Sequence, residues 1–518
     1  MTRQVTSIVD GRPVDGVRKA NSSNPSRLDE VVAEVSFGDA DTLLSAARSA
    51  HRAQSAWAAI PAPVRGRAIA QIGRAVERNK EALAKIVTAE IGKPYAEALG
   101  EVQEIIDTCD FFLGEGRRLY GQTVPSEMSD KQLFTFRRPV GTVAVITAGN
   151  FPVAVPSWYI VPALLAGNTI VWKPAEYSPA ASAAFHQIFT RGGGLPDGVF
   201  NIVHADGPQT FAGLEQALDA GLVEKIGFTG SSAVGREVGG LAGRHLQTAC
   251  LELGGKNPMV ITPAADLDLA VEGALFAGFG TAGQRCTSLG TVIVHESVHD
   301  DFLSRFNAAL AAAAIGDPAT DVLMGPMMDA KFADRYEDYL SWIQPHHKVQ
   351  AARGRITADN GRDGFVGDPA AGLFYHPVVV DGVQPGDAIF DQETFGPLVG
   401  VTSYRDLDQA IELANAPGYG LSSAIYTNDA REAFTFAGRI SAGMTSVNNS
   451  TSGAEAHLPF GGNGKSGNGS RQSGIWVLDQ FTRWQSMNWD YSGRLQKAQM
   501  DVAELESDPG YELDEDKR

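Results

Sequence analysis

Cysteine is scarce in this chain, with three in 518 residues, at positions 109, 250 and 286. That count excludes a disulfide framework and suits a reducing, cytoplasmic setting. Histidine is scarce too, with ten, and no metal site is expected. The opening MTRQVTSIVDGRPVDG lacks the apolar run of a signal peptide. Basic charge is in deficit: a formal net charge of −18 argues against nucleic acid or an anionic membrane as partner. One segment imitates a membrane span, because no charged residue occurs from Pro139 to Trp172. Pro152, Pro156, Pro162, Gly141, Gly149, Gly167, Asn150 and Asn168 break it into short pieces. It reads as strand, helix and strand buried inside a protein.

What is present is an ordinary globular composition on a chain long enough for two to four domains. Residues 39–60, 64–94 and 97–121 carry apolar side chains at helical spacing, with Cys109 among Ile105, Ile106, Phe111 and Phe112. Residues 122–139 look like an extended arm without a core of its own. From 140 the pattern alternates: strands at 141–148, 168–173, 199–204 and 223–229, with helices at about 153–166, 178–191, 208–219 and 231–245. This βαβ alternation predicts an α/β fold with a doubly wound parallel sheet and ligands at the carboxyl ends of its strands. A second alternating region, with a helix at about 265–279, runs from 248 to about 465, and 481–491 is a late strand. The tail 501–518 carries a net charge of −6 and reads as a solvated end.

The strongest anion-binding signal is FTGSSAVGRE (228–237), which leaves a strand and opens a helix. Gly230 allows the turn, Ser231 can cap the helix, and amides of the first turn can face a phosphate. Three strings imitate other sites. GGNGKSGNGS (461–470) holds GxGxxG by letters but follows Pro459-Phe460 rather than a strand. HESVH (295–299) is a literal HExxH, yet TVIVH before it alternates like a strand. Its histidines should therefore straddle a strand–helix junction and diverge, whereas a zinc site needs both on one helix face. His346-His347 lies in a polar run with no acidic or cysteine neighbour at ligand spacing and reads as solvated surface.

Cys286 sits in GTAGQRCTS (280–288), after two glycines and beside Arg285. A cation beside a reachable thiol lowers its pKa, although a structural role also suits a lone cysteine. Four strings in order, AGNFP (148–152), WKPAE (172–176), LELGGKNP (251–258) and GQRCTS (283–288), are followed by ETFGPL (393–398) and PFGG (459–462). Together they resemble an NAD(P)-dependent aldehyde dehydrogenase over roughly residues 30–490.

The resemblance implies a fold: a Rossmann-type NAD-binding domain at 1–121 and 140–253, and an α/β catalytic domain at 254–465. A small β oligomerisation arm at 122–139 and 481–500 would leave 501–518 as an acidic tail. It implies Cys286 as nucleophile, Glu252 as general base, and Asn150 with the Cys286 N–H as oxyanion donors. This chemistry is coherent, since an aldehyde gives up hydride only after a nucleophile makes its carbon tetrahedral, and the resulting thioester then hydrolyses. The apolar neighbours Leu251 and Leu253 should raise the pKa of Glu252. For the cofactor the resemblance implies Lys173 and Glu176 at the adenosine ribose, Gly230, Ser231 and Gly235 at the pyrophosphate, and Glu393 and Phe395 at the nicotinamide end. A carboxylate at 176 favours NAD over NADP, with NADP possible. A homodimer or homotetramer is implied by the arm.

GEVQEIIDTCD (100–110), GTAGQRCT (280–287) and SGAE (452–455) resemble the α-aminoadipic semialdehyde (antiquitin-like) branch. That likeness implies Glu101, Arg285, Gly453 and Ala454 as substrate residues and a carboxylated semialdehyde as substrate. GGKNP and HLPFGG depart from that branch, which keeps a plain aliphatic or aromatic aldehyde as the alternative. A catalytically silent family member is the rival from another class. Gly149 stands where many family members have Trp, so a wider tunnel wall is expected there.

Overall fold

The computed structural model describes residues 2–349, 353–497 and 505–513. The chain opens with four strands that its polar composition does not announce: β1 (Arg3–Val9), β2 (Arg12–Val14), β3 (Arg18–Asn24) and β4 (Arg27–Phe37). The end of β1 alternates, burying Val5, Ser7 and Val9, as does the end of β4, burying Ala33, Val35 and Phe37. Four helices follow: α1 (Ala40–Ala59), α2 (Ala62–Arg78), α3 (Lys80–Ile91) and α4 (Tyr95–Arg118). Asp39 caps α1 in a capping box with Thr42. The helical stretch at 64–94 is thus two helices, broken at Asn79, whose side chain donates back to the Ala75 carbonyl at 2.7 Å.

After β5 (Thr123–Val124) and β6 (Lys131–Pro139) comes the uncharged run. It folds as β7 (Thr142–Ile146), α5 (Ala154–Ala166) and β8 (Thr169–Lys173), and every residue of α5 is buried. No helix among the described residues is long and apolar enough to cross a membrane. The alternation continues through α6 (Pro179–Gly193), β9 (Phe200–Ile202), α7 (Gly207–Asp219), β10 (Lys225–Thr229), α8 (Ser232–Arg244) and β11 (Thr248–Glu252). The strand order is β11-β10-β7-β8-β9-β1-β4-β3, with β2 beside β1. β7 to β11 run parallel, and the order reverses between β7 and β10. That reversal opens a crevice at the carboxyl ends of β7 and β10.

Only Leu253–Lys256 separate this sheet from the second, which begins with β12 (Asn257–Ile261). Next come α9 (Leu267–Phe279), β13 (Leu289–His295), α10 (His299–Ala312) and α11 (Ala330–Ser341). The second sheet runs Lys348–Val349, Val378–Asp381, Leu398–Tyr404, β13, β12, Ser422–Tyr426, Met444–Val447, parallel except at Lys348–Val349. The chain then returns to the first sheet, where the Leu253 N–H donates to the Ser466 carbonyl at 3.0 Å. Strand Thr482–Asp490 pairs antiparallel with β6 along its whole length, and β5 pairs with the other edge of β6. Of the acidic tail, residues 505–513 are exposed; the rest of that expectation lies outside the described residues.

Candidate active site

The crevice at the strand-order reversal holds a cavity of about 230 Å³, lined among others by Lys173, Glu176, Gly230 and Ser231. β8 ends at Lys173, so its buried ammonium lies at the carboxyl edge of the sheet, where burial lowers its pKa against the pull of Glu176. Glu176 accepts the Gly207 N–H at 3.1 Å. Ser231 caps α8, accepting the Val234 N–H at 3.4 Å, so the positive end of that helix faces the cavity. At Gly235 a Cβ would lie 2.4 Å from Leu253 Cδ2. This glycine therefore lets α8 pack closely on the segment leaving β11.

The loop that carries Cys286 is bent sharply. Thr281 and Ala282 both adopt left-handed backbone angles, φ 52° and 54°, a conformation that surrounding bonds must hold in place. Glu97 on α4 supplies them: it accepts the Thr281 N–H at 3.0 Å and forms an ion pair with Arg285. The Arg285 guanidinium also lies over the Phe276 ring at 4.5 Å. It is therefore held by Glu97, and the expectation that it lowers the thiol pKa fails. Burial raises the Cys286 thiol well above its ordinary value, and the charges of Glu252 and Glu393 add to that. The amides of Cys286 and Thr287 pull in the other direction. Asn257, at the start of β12, donates through Nδ2 to the Cys286 and Ser288 carbonyls at 2.8 Å each, so the second sheet suspends the nucleophile loop.

Glu252 ends β11, and neither of its buried oxygens has a hydrogen-bond partner. Burial raises its pKa well above the usual carboxylate range, as its apolar neighbours led us to expect. Asn150 lies just beyond β7 and donates through Nδ2 to the Gln284 carbonyl at 2.9 Å, which leaves its second amide hydrogen for another acceptor. Glu393 accepts the Gly255 N–H at 3.1 Å; burial pushes its carboxyl up to about 7, and it lowers the effect of burial on neighbouring Lys256. Phe395 packs on Phe332 of α11, ring centroids 5.7 Å apart.

A second cavity, of about 390 Å³, is lined by Cys286 together with Glu104, Phe151, Trp158, Arg285 and Gly453. Ala454 and Glu101 also border it. Glu101, however, is committed elsewhere: it pairs with buried Lys93 and accepts the Val153 and Ala154 N–H groups at 2.9 and 3.1 Å. It anchors the start of α5 rather than offering a free group to substrate, which corrects the expectation for it. The available carboxyl is Glu104, one turn further along α4. Its buried Oε2 is unpartnered, and burial raises its pKa to about 8. The wider tunnel wall expected at Gly149 is also corrected. Tyr177 fills that space, for a Cβ on Gly149 would lie 2.5 Å from Tyr177 Cε2.

The imitations resolve as geometry. His295 ends β13 and bonds Ser297 and the Arg405 carbonyl, while His299 starts α10 and bonds Asp300 and Asp381, so the two diverge. His346 and His347 differ from expectation. Asp387 comes within 3.2 and 2.9 Å of their Nε2 atoms, and His347 is buried. His347 Nδ1 accepts the Gln344 N–H at 3.0 Å, so its Nε2 must carry the proton given to Asp387. That proton occupies the position a metal would need. The trio staples a loop.

Residues 13–487 match the model of the aldehyde dehydrogenase family. The chain belongs to this family. It is 36% identical over 464 residues to an α-ketoglutarate semialdehyde dehydrogenase of Haloferax volcanii, covering 89% of this chain and 93% of that one. It is 34% identical over 458 residues to the α-aminoadipic semialdehyde dehydrogenase of Mus musculus, covering 87% and 82%. The crystal structure of betaine aldehyde dehydrogenase from Staphylococcus aureus in complex with NAD+ superposes with a TM-score of 0.88 at 27% identity, covering 95% and 96%. For an aldehyde dehydrogenase site, the residues that sequence reasoning passed over are Asn257, Glu97, Lys93, Glu104 and Tyr177. Asn257 stood within LELGGKNP and Tyr177 immediately after WKPAE. The partners that give them meaning are distant in sequence.

Proposed function

We propose that the chain oxidises a carboxylated semialdehyde to the acid with NAD, through a thioester on Cys286 hydrolysed with Glu252 as general base. The observation that carries this reading is the convergence of the half-buried thiol of the Cys286 loop, the unpartnered buried carboxyl that ends β11 and a free amide hydrogen of Asn150 beyond β7. Once its thiol proton is released to solvent, the Cys286 thiolate adds to the aldehyde carbon, and the amide of Asn150 with the Cys286 N–H stabilises the oxyanion. The cleft suits the adenosine ribose and pyrophosphate of a dinucleotide, with Lys173 and Glu176 at one end and the N-terminus of α8 beside Gly230 and Ser231. NAD+ held there supplies the hydride acceptor. Glu252 then takes a proton from water, whose oxygen attacks the thioester carbon and expels the thiolate. The carboxylate of Glu176 favours NAD because a 2′-phosphate would meet like charge. Glu393 and Phe395 border the nicotinamide end.

The substrate class rests on the polar groups at the larger cavity. Arg285 borders the cavity and, beyond its ion pair with Glu97, has only the rest of its guanidinium to turn to a carboxylate, Glu104 can accept from an amine or hydroxyl, and Gly453 and Ala454 shape the wall. Both semialdehyde relatives agree with that. The aromatic lining, Phe151, Trp158, Phe276 and Phe460, favours a second reading, a plain aliphatic or aromatic aldehyde. A panel of four- to six-carbon semialdehydes and plain aldehydes, with NAD and NADP compared, separates the two by kcat/KM. Absence of NADH formation with every aldehyde would overturn the enzymatic reading. The homo-oligomer is part of the proposal, since the strand Thr482–Asp490 leaves Trp484, Met487 and Trp489 exposed. A cytoplasmic location accords with three unpaired cysteines.

A further inference from the structure

Gly149 precedes the oxyanion donor Asn150, and its surroundings leave no room for a side chain. A Cβ there would stand 2.5 and 2.8 Å from Tyr177 Cε2 and Cδ2, and 2.9 Å from Ala175 Cβ. Crowding, not a left-handed φ, demands glycine here, since Gly149 is absent from the positive-φ residues. The Tyr177 ring is fixed on its far side by Phe332 at 5.2 Å, edge to face, and Phe332 in turn meets Phe395. Tyr177 also lines the dinucleotide cleft. It is thus wedged between that cleft and the backbone that carries Asn150.

We propose that Tyr177 is a positioning residue, whose ring packs on Gly149 and fixes the backbone that aims the Asn150 amide. A glycine just before a catalytic donor is a source of slack, because its backbone has more conformations than any other residue. The Tyr177 ring removes that slack from outside the main chain. Its effect belongs to the transition state: a donor displaced by a fraction of an ångström stabilises an oxyanion poorly while substrate and cofactor still bind. The inference rests on the proposed role of Asn150.

The test compares Tyr177→Ala, Tyr177→Phe, Gly149→Ala and the Ala/Ala double variant in steady-state and burst kinetics with NAD and the best aldehyde of the panel. Tyr177→Ala should lower kcat and the NADH burst rate by about 30-fold, less than removal of a whole oxyanion donor. KM for NAD should stay within about twofold, the split expected of a transition-state effect. Tyr177→Phe keeps the ring that packs on Gly149 and should lose no more than about threefold. Gly149→Ala should be impaired by the clash, and the double variant should be no worse than the worse single, because both act through one contact. Wild-type kcat in Tyr177→Ala, a raised KM for NAD with kcat intact, or additive losses in the double variant would each overturn the proposal. Should Tyr177→Ala not fold, as judged by circular dichroism, Tyr177→Leu is measured against the same criteria. Asn150→Ala is the control for the underlying reading: if it keeps full activity, Asn150 is not the donor. A strong loss there beside an unaffected Tyr177→Ala defeats this inference alone.

Discussion

Glu97, Glu101 and Glu104 lie four and then three residues apart, so one stripe of α4 turns three carboxyls toward the site. Two have partners, Arg285 and Lys93, and the third does not. A carboxyl raised to about 8 in the folded chain keeps its proton where the unfolded chain has released it. Stability therefore falls as pH rises from the ordinary carboxylate range toward about 8. Glu104→Gln should be more stable than wild type at about pH 8, on the order of 1 kcal/mol, with the gain shrinking toward about pH 5. Thermal melts at the two pH values check this, and the same variant should lose affinity for amine-bearing semialdehydes. Glu252→Gln should still form the thioester and then stall, giving about one equivalent of NADH per site and a steady rate reduced by about 100-fold or more. Because the Glu252 pKa is raised and the base works only when deprotonated, thioester hydrolysis in wild type should quicken as pH rises through that value. Cys286, Glu252 and Asn150 were legible because each sits in a contiguous string with chemical character. The choice between Glu101 and Glu104 was not, since a helix stripe offers both equally until Lys93 and the start of α5 claim one.

Among the elements, those of the first parallel sheet were readable from 140 onward, because buried parallel strands and amphipathic helices alternate in hydrophobic pattern. β1 to β4 were not: segments such as RKANSSN take their place from pairing with a neighbouring edge rather than from apolar content. The break between α2 and α3 was hidden for a related reason, since Asn79 ends one helix without interrupting the apolar period. The arm was recognisable as an extended segment. In Thr482–Asp490 only the two end residues are not exposed, with Trp484 at 54% and Trp489 at 59%. Replacing both tryptophans by Asp should convert the proposed oligomer into monomers, measured by light scattering, while circular dichroism stays unchanged. A wild-type protein that is already monomeric in that measurement would remove the arm's proposed role.

For the molecule as a whole, a cleft set at the strand-order reversal makes cofactor binding a stability measurement. NAD at about 100 times its Kd should stabilise the fold by about 2.7 kcal/mol, visible as a rise in Tm. NADP should give a smaller rise, and Glu176→Gln should narrow the difference. The bridge of four residues, Leu253–Lys256, has a further consequence. Glu252 closes the last strand of one sheet, while Asn257, opening the first strand of the other, suspends the loop of Cys286. The base and the sulfur thus belong to different layers of the molecule and meet only while both layers hold their register. Catalysis is then a more sensitive gauge of that seam than any spectroscopic signal of helix or strand, and heating should silence turnover at a lower temperature than it melts either sheet.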